Sequence, residues 1–159
     1  MDNNNSLTFD PSDRMMHDLL CELERRARGG LPFSLVHMRV YDLGHKQIIL
    51  TAFRAVTRIF DAAYQYDLDT DLLLSLKHCD TKGAFKFLDR LNYQLKDMGV
   101  GKNIFDACVV EPYPGDDMNI LLQNVKDDLN KIAATGLGEA GQYQDISPLK
   151  RFVDGLKGR

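Results

Sequence analysis

The sequence has no excess of basic charge: 20 Lys and Arg stand against 23 Asp and Glu in 159 residues, a formal net charge of −3. A polyanion is held by a basic field, so neither nucleic acid nor an anionic membrane surface is an expected partner. Long apolar runs are missing too. Stretches such as Leu72–Leu74 and Val109–Val110 fall far short of the roughly 20 residues that span a bilayer, and no membrane insertion is expected. Cysteine is scarce: Cys21, Cys79 and Cys108 are widely spaced and none belongs to a CxxC pair. That pattern suits reduced, packed thiols in a cytoplasm. The opening residues Met1–Ser6 carry neither a basic region nor an apolar stretch of leader length, so no secretory signal is expected.

What is present is the composition of one folded domain. Hydrophobic residues make up 44% and charged residues 27% of the chain, enough apolar surface to bury a sizeable core. Residues 1–11 are polar and read as a flexible N-terminus. Ser12 can cap a first helix with Met16, Leu19, Leu20, Leu23 and Ala27 on one stripe, closed by Gly29 and Gly30. Its aliphatic stripe reads best as packing on the domain's own sheet, with self-association or docking to a protein partner as the alternative.

Residues 31–41 alternate as a strand, Phe33, Leu35, His37 and Arg39 on one side and Ser34, Val36, Met38 and Val40 on the other. A helix is predicted over 46–60 from Ile49, Ala52, Phe53, Val56 and Phe60. Short strands at 64–66 and 72–76 flank an acidic turn and form a hairpin. A helix over 81–98 stops at Gly99-Val100-Gly101, a strand covers 105–111, and a last helix starts at Asp116 or Asp117 and carries Ile120, Leu121, Val125, Leu129 and Ile132. The predicted domain is therefore 12–133, with 134–159 as a C-terminal tail. One hairpin and two long crossovers imply an α+β fold, a mixed sheet covered by helices.

Several segments in this order resemble one family. Glu22–Val36 resembles the opening of a GGDEF (diguanylate cyclase) domain, where an amphipathic helix ends in a basic turn and a Pro leads into the first strand. Phe53–Phe60 is similar to the helix before the family's signature hairpin, and Tyr113–Leu129 to its closing helix. Colinear likeness over roughly residues 21–132 implies the nucleotide-cyclase-like variant of the ferredoxin-like fold and a place in bacterial signalling.

The departures from the family decide the expected function. Active members hold Mg²⁺ with two carboxylates, one ending the first strand and one in the signature, because that hard ion takes oxygen ligands. Here the first-strand position matches Arg39, and the signature reads Asp67, Leu68, Asp69, Thr70, Asp71, with both glycines gone. The resemblance thus implies a degenerate member with no catalytic residues, no metal and no cofactor. One family feature survives. Arg58 and Asp61 have the RxxD form of the family's inhibitory site at its usual offset from the signature, which implies a cyclic di-GMP site, because a guanidinium can hold phosphate or a guanine edge by paired hydrogen bonds.

Plainer readings stand beside these. Arg58 and Asp61 can be an i,i+3 surface ion pair, Asp67, Asp69 and Asp71 a solvated acidic turn, and His37 with Arg39 ordinary half-exposed strand residues. The expected function is a catalytically inactive regulatory module acting by protein contact or as a cyclic di-GMP receptor. The alternatives are a divergent active diguanylate cyclase and a scaffold protein with no nucleotide link.

Overall fold

The computed structural model describes residues 7–8, 14–57, 61–66, 68–135 and 143–145. Among these, the elements run β1 (Leu7–Thr8), α1 (Met16–Ala27), β2 (Ser34–Val40), α2 (Lys46–Val56), β3 (Ala62–Gln65), β4 (Asp71–Leu76), α3 (Thr81–Asp97), β5 (Phe105–Val110), α4 (Met118–Thr135) and β6 (Tyr143–Asp145). They build one mixed sheet in the order β1-β3-β4-β2-β5-β6. The central pairs β3–β4, β4–β2 and β2–β5 are antiparallel, and the outer pairs β1–β3 and β5–β6 are parallel. From β2 to β5 this is the βαββαβ order of a ferredoxin-like fold.

The period-2 pattern of β2 explains why the sheet is covered on both sides. Val36, Met38 and Val40 enter a cluster with Ile49 and Phe53 of α2 and Leu88, Leu91 and Leu95 of α3. Phe33 and Leu35 point the other way, into a cluster with Met15 just before α1, Leu19 of α1, and Leu121, Val125 and Leu129 of α4. Strands buried on both faces read as near-continuous apolar runs, as Leu72–Leu74 and Cys108–Val110 do. Each fully buried Leu contributes about 1.5–3 kcal/mol relative to exposure.

Local chemistry sets the helix ends that frame the site. Asp80 caps α3, its Oδ1 accepting the Gly83 N–H at 2.8 Å. At the other end Gly99 has φ +93°, and the Val100 N–H to Leu95 O and Gly99 N–H to Lys96 O bonds close a Schellman turn.

Several expectations are corrected. The strand β3 starts at Ala62, before residue 64, and the α2 helix ends at Val56; Phe60 and Ser12 lie outside the described residues. Ile120 is 53% exposed and Leu20 49%, because α4 turns Met118 and Leu122 inward instead and α1 buries only one side of its stripe. Cys21 is exposed and only Cys108 is buried, so not every thiol is packed. In the segment read as a tail, β6 pairs with β5. No helix among the described residues is long and apolar enough to cross a membrane.

Candidate functional site

Strand register brings the first-strand cation together with Asp71, the last residue of the degenerate signature. Arg39 lies opposite Asp71 of β4 on one side and opposite Asp106 of β5 on the other. Its guanidinium grips Asp71 with both arms, Nε donating to Oδ1 at 2.7 Å and Nη2 to Oδ2 at 2.9 Å. The remaining arm, Nη1, donates to Asn130 Oδ1 of α4 at 2.8 Å. His37, two residues earlier on the same face, places Nε2 2.9 Å from Asp71 Oδ2. The His37 and Asp71 side chains are fully buried, and the His37 ring stands edge-on to Tyr66. Burial pushes the Asp71 carboxyl upward, but the hydrogen bonds and charges of His37 and Arg39 outweigh it and hold the carboxyl below its ordinary value.

Asp71 is thus not part of a solvated turn. The ladder begins at this residue, so its side chain enters the sheet face where Arg39 waits. The geometry also bears on a divalent ion. Both Asp71 oxygens are already engaged by a permanent cation, and a second cation here would meet repulsion from a guanidinium it cannot displace by proton loss. A metal held between the first strand and the signature does not fit these residues. Among the described residues no group of three or more His, Cys, Asp or Glu side chains is placed to hold a metal ion. Asp106 is buried and accepts the Tyr41 hydroxyl at 2.8 Å, and Asn103 donates to that hydroxyl at 3.0 Å.

Part of the degenerate signature faces solvent. Leu68 and Asp69 are exposed and Thr70 half-buried, while Asp67 lies outside the described residues. Lys46, at the start of α2, closes this turn by donating from Nζ to the Asp69 carbonyl at 2.6 Å and to Gln65 Oε1. Desolvation lowers the Lys46 pKa, opposed by the charges of Asp69 and Asp71. Sequence reasoning missed Lys46 and Gln65, since 19 positions of chain separate them and no spacing rule joins them.

Of the RxxD pair, Arg58 lies outside the described residues. Asp61 is buried just before β3, and its Oδ1 accepts the backbone N–H of Lys77 at 3.2 Å. Beyond Lys77, a cavity of about 420 Å³ is lined by Leu31, Pro32, His78, Lys86, Phe87 and Arg90, among others. Lys86 and Arg90 are one turn apart on α3, and the Arg90 guanidinium lies 6.0 Å from the centre of the Phe87 ring. Cations beside an aromatic face suit a planar anionic ligand. This cluster was not anticipated either, because it is assembled from three separate segments.

No protein-family model and no curated protein matches the chain. Solved structures do match. The chain is similar to the GGDEF domain of DgcB from Caulobacter crescentus in complex with c-di-GMP, with a TM-score of 0.68 at 8% identity, over 91% of this chain and 96% of that one. It is similar to the diguanylate cyclase SiaD from Pseudomonas aeruginosa, solved in complex with its activator SiaC, with a TM-score of 0.64 at 18% identity over 83% of this chain. PelD from Pseudomonas aeruginosa PA14 in complex with c-di-GMP gives a TM-score of 0.60 at 18% identity over 72% of this chain. The chain spans about half of the latter two, 57% of the SiaD chain and 44% of the PelD chain. The fold is that of GGDEF domains.

Proposed function

We propose that this GGDEF-fold chain is a catalytically inactive regulatory module of bacterial signalling, cytoplasmic, acting by protein contact or as a receptor for cyclic di-GMP. The observation that carries the reading is the two-armed hydrogen bonding of Arg39 to Asp71. Phosphoryl transfer depends on charge neutralisation by a divalent ion, which contributes several kcal/mol of transition-state stabilisation. The guanidinium takes up the charge of Asp71 and puts a permanent cation at the first-strand position where the family holds the ion. Loss of both signature glycines, to Asp67 and Leu68, adds side chains where the family's backbone approaches the nucleotide.

The receptor form of the reading rests on Arg58 and Asp61; the cavity lined by Lys86 and Arg90 is a separate place that suits an anionic ligand. Neighbours of this fold in complex with c-di-GMP agree with that choice of ligand. The test has two parts. Incubation with GTP and Mg²⁺ or Mn²⁺ is expected to give no cyclic di-GMP. Calorimetric titration with cyclic di-GMP is expected to show binding that Arg58→Ala weakens tenfold or more, about 1.5–3 kcal/mol for a charge-assisted contact. Silence in the titration would leave the protein-contact form, and unchanged binding in Arg58→Ala would remove Arg58 from the site.

A further inference from the structure

One pair of metal-ligating side chains lies outside the site already described. His17 and Cys21 stand four residues apart on α1, the spacing that stacks side chains on one helix face. Both are exposed, and His17 Nε2 lies 3.7 Å from Cys21 Sγ. Without an ion this is a weak thiol–imidazole hydrogen bond. The same separation suits a metal. With Zn–S about 2.3 Å and Zn–N about 2.0–2.1 Å, a tetrahedral angle sets the two ligand atoms roughly 3.6 Å apart. The two donors therefore already stand at the bite of a zinc chelate.

We infer that His17 and Cys21 bind Zn²⁺, and that the same pair from a second copy of the chain completes the site. One chain supplies two donors, and among the described residues no third His, Cys, Asp or Glu joins them in a group placed to hold a metal ion. A closed zinc site takes four ligands. A two-fold axis through the ion gives it two thiolates and two imidazoles from one exposed patch used twice, the self-complementary contact of an isologous dimer. Zn²⁺ takes the place of the thiol proton, which leaves to solvent, and the imidazole binds neutral through Nε2. Leu20, next to Cys21 in the chain and 49% exposed, gains cover when two α1 helices meet there. The site needs neither the Arg39 and Asp71 pair nor a nucleotide, so its test is independent of the function proposed above.

The test uses the full chain, kept reduced with a non-chelating phosphine, with Co²⁺ as the spectroscopic probe and Zn²⁺ as the competitor. Co²⁺ is expected to give a thiolate-to-metal charge-transfer band and the intense visible bands of tetrahedral coordination, both lost when Zn²⁺ is added. Sedimentation is expected to show the mass doubling with half an equivalent of Zn²⁺ and returning to that of the monomer with EDTA. His17→Ala and Cys21→Ser, at exposed positions where substitution leaves the fold intact, should each weaken Zn²⁺ binding about tenfold or more and remove the dimer. Cys21→His keeps two donors at the same spacing and should retain a Zn²⁺-dependent dimer without the charge-transfer band. Four results would each overturn the inference: a dimer unchanged by EDTA, Zn²⁺ bound by a chain that stays monomeric, a Co²⁺ spectrum without the thiolate band, or a Zn²⁺ affinity in His17→Ala within twofold of wild type.

Discussion

Replacing Arg39 by Ala removes two charge-assisted hydrogen bonds, at 2.7 and 2.9 Å, from a carboxylate whose side chain is fully buried. Asp71 would keep only His37 among the side chains it contacts in this cluster. Breaking one side of a buried pair costs about 3–5 kcal/mol, because the surviving charge stays desolvated. At roughly 2–4 °C per kcal/mol for a chain of this size, the melting temperature should fall by on the order of 10 °C at pH 7.

The pH dependence gives a sharper check. In the wild type the Asp71 pKa is depressed below its ordinary 3.8. Its contribution is therefore complete above that value and is lost as pH falls through the folded pKa. Without Arg39, burial dominates and the Asp71 pKa rises, so the variant recovers part of its deficit as the carboxyl takes up a proton. The gap between wild type and variant should be widest near pH 7 and narrow toward pH 4, measured by urea denaturation across that range. The double variant Arg39→Met, Asp71→Leu should be less destabilised than the sum of its singles. A cost below about 1 kcal/mol, the range of surface pairs, and constant with pH would refute the reasoning.

Other outcomes follow from burial and backbone geometry. Leu88→Ala, at a fully buried position on α3, should cost about 2–5 kcal/mol in chemical denaturation, while Tyr93→Ala, 75% exposed on the same helix, should stay within about 0.5 kcal/mol. Gly99→Ala forces a Cβ onto φ +93° and should lower stability by about 1–2 kcal/mol. Burial, followed by the charges of Asp128 and Asp106, pushes the Cys108 thiol up to about 12. A thiol reagent at pH 8 should therefore label exposed Cys21 roughly tenfold faster or more than Cys108, a ratio that collapses in denaturant.

The period of the apolar residues made most of the fold legible before any coordinates. The two faces of β2, the stripe of α3 and the α2 stripe through Ile49, Ala52 and Phe53 appear where the spacing puts them, and the β3–β4 hairpin forms with β3 beginning earlier, at Ala62. Single positions slipped where the pattern is ambiguous, as at Ile120, an exposed apolar residue between Met118 and Leu122, which fill the buried stripe. The site was legible only as residue types. Arg39 and Asp71 were each singled out, but their pairing depends on a register between strands 32 residues apart in the chain, which no local spacing encodes. The Lys46 and Gln65 contact was invisible for the same reason, and nothing in the sequence singled out Lys86 or Arg90.

The most direct measurement is turnover. Purified protein incubated with GTP and either Mg²⁺ or Mn²⁺, with products separated by chromatography and identified by mass, should yield no cyclic di-GMP above a protein-free control, because Arg39 puts a permanent cation, paired to Asp71, where the first strand would hold the metal. Metal-dependent cyclic di-GMP that disappears on changing Asp69 or Asp71 to Ala would contradict that claim.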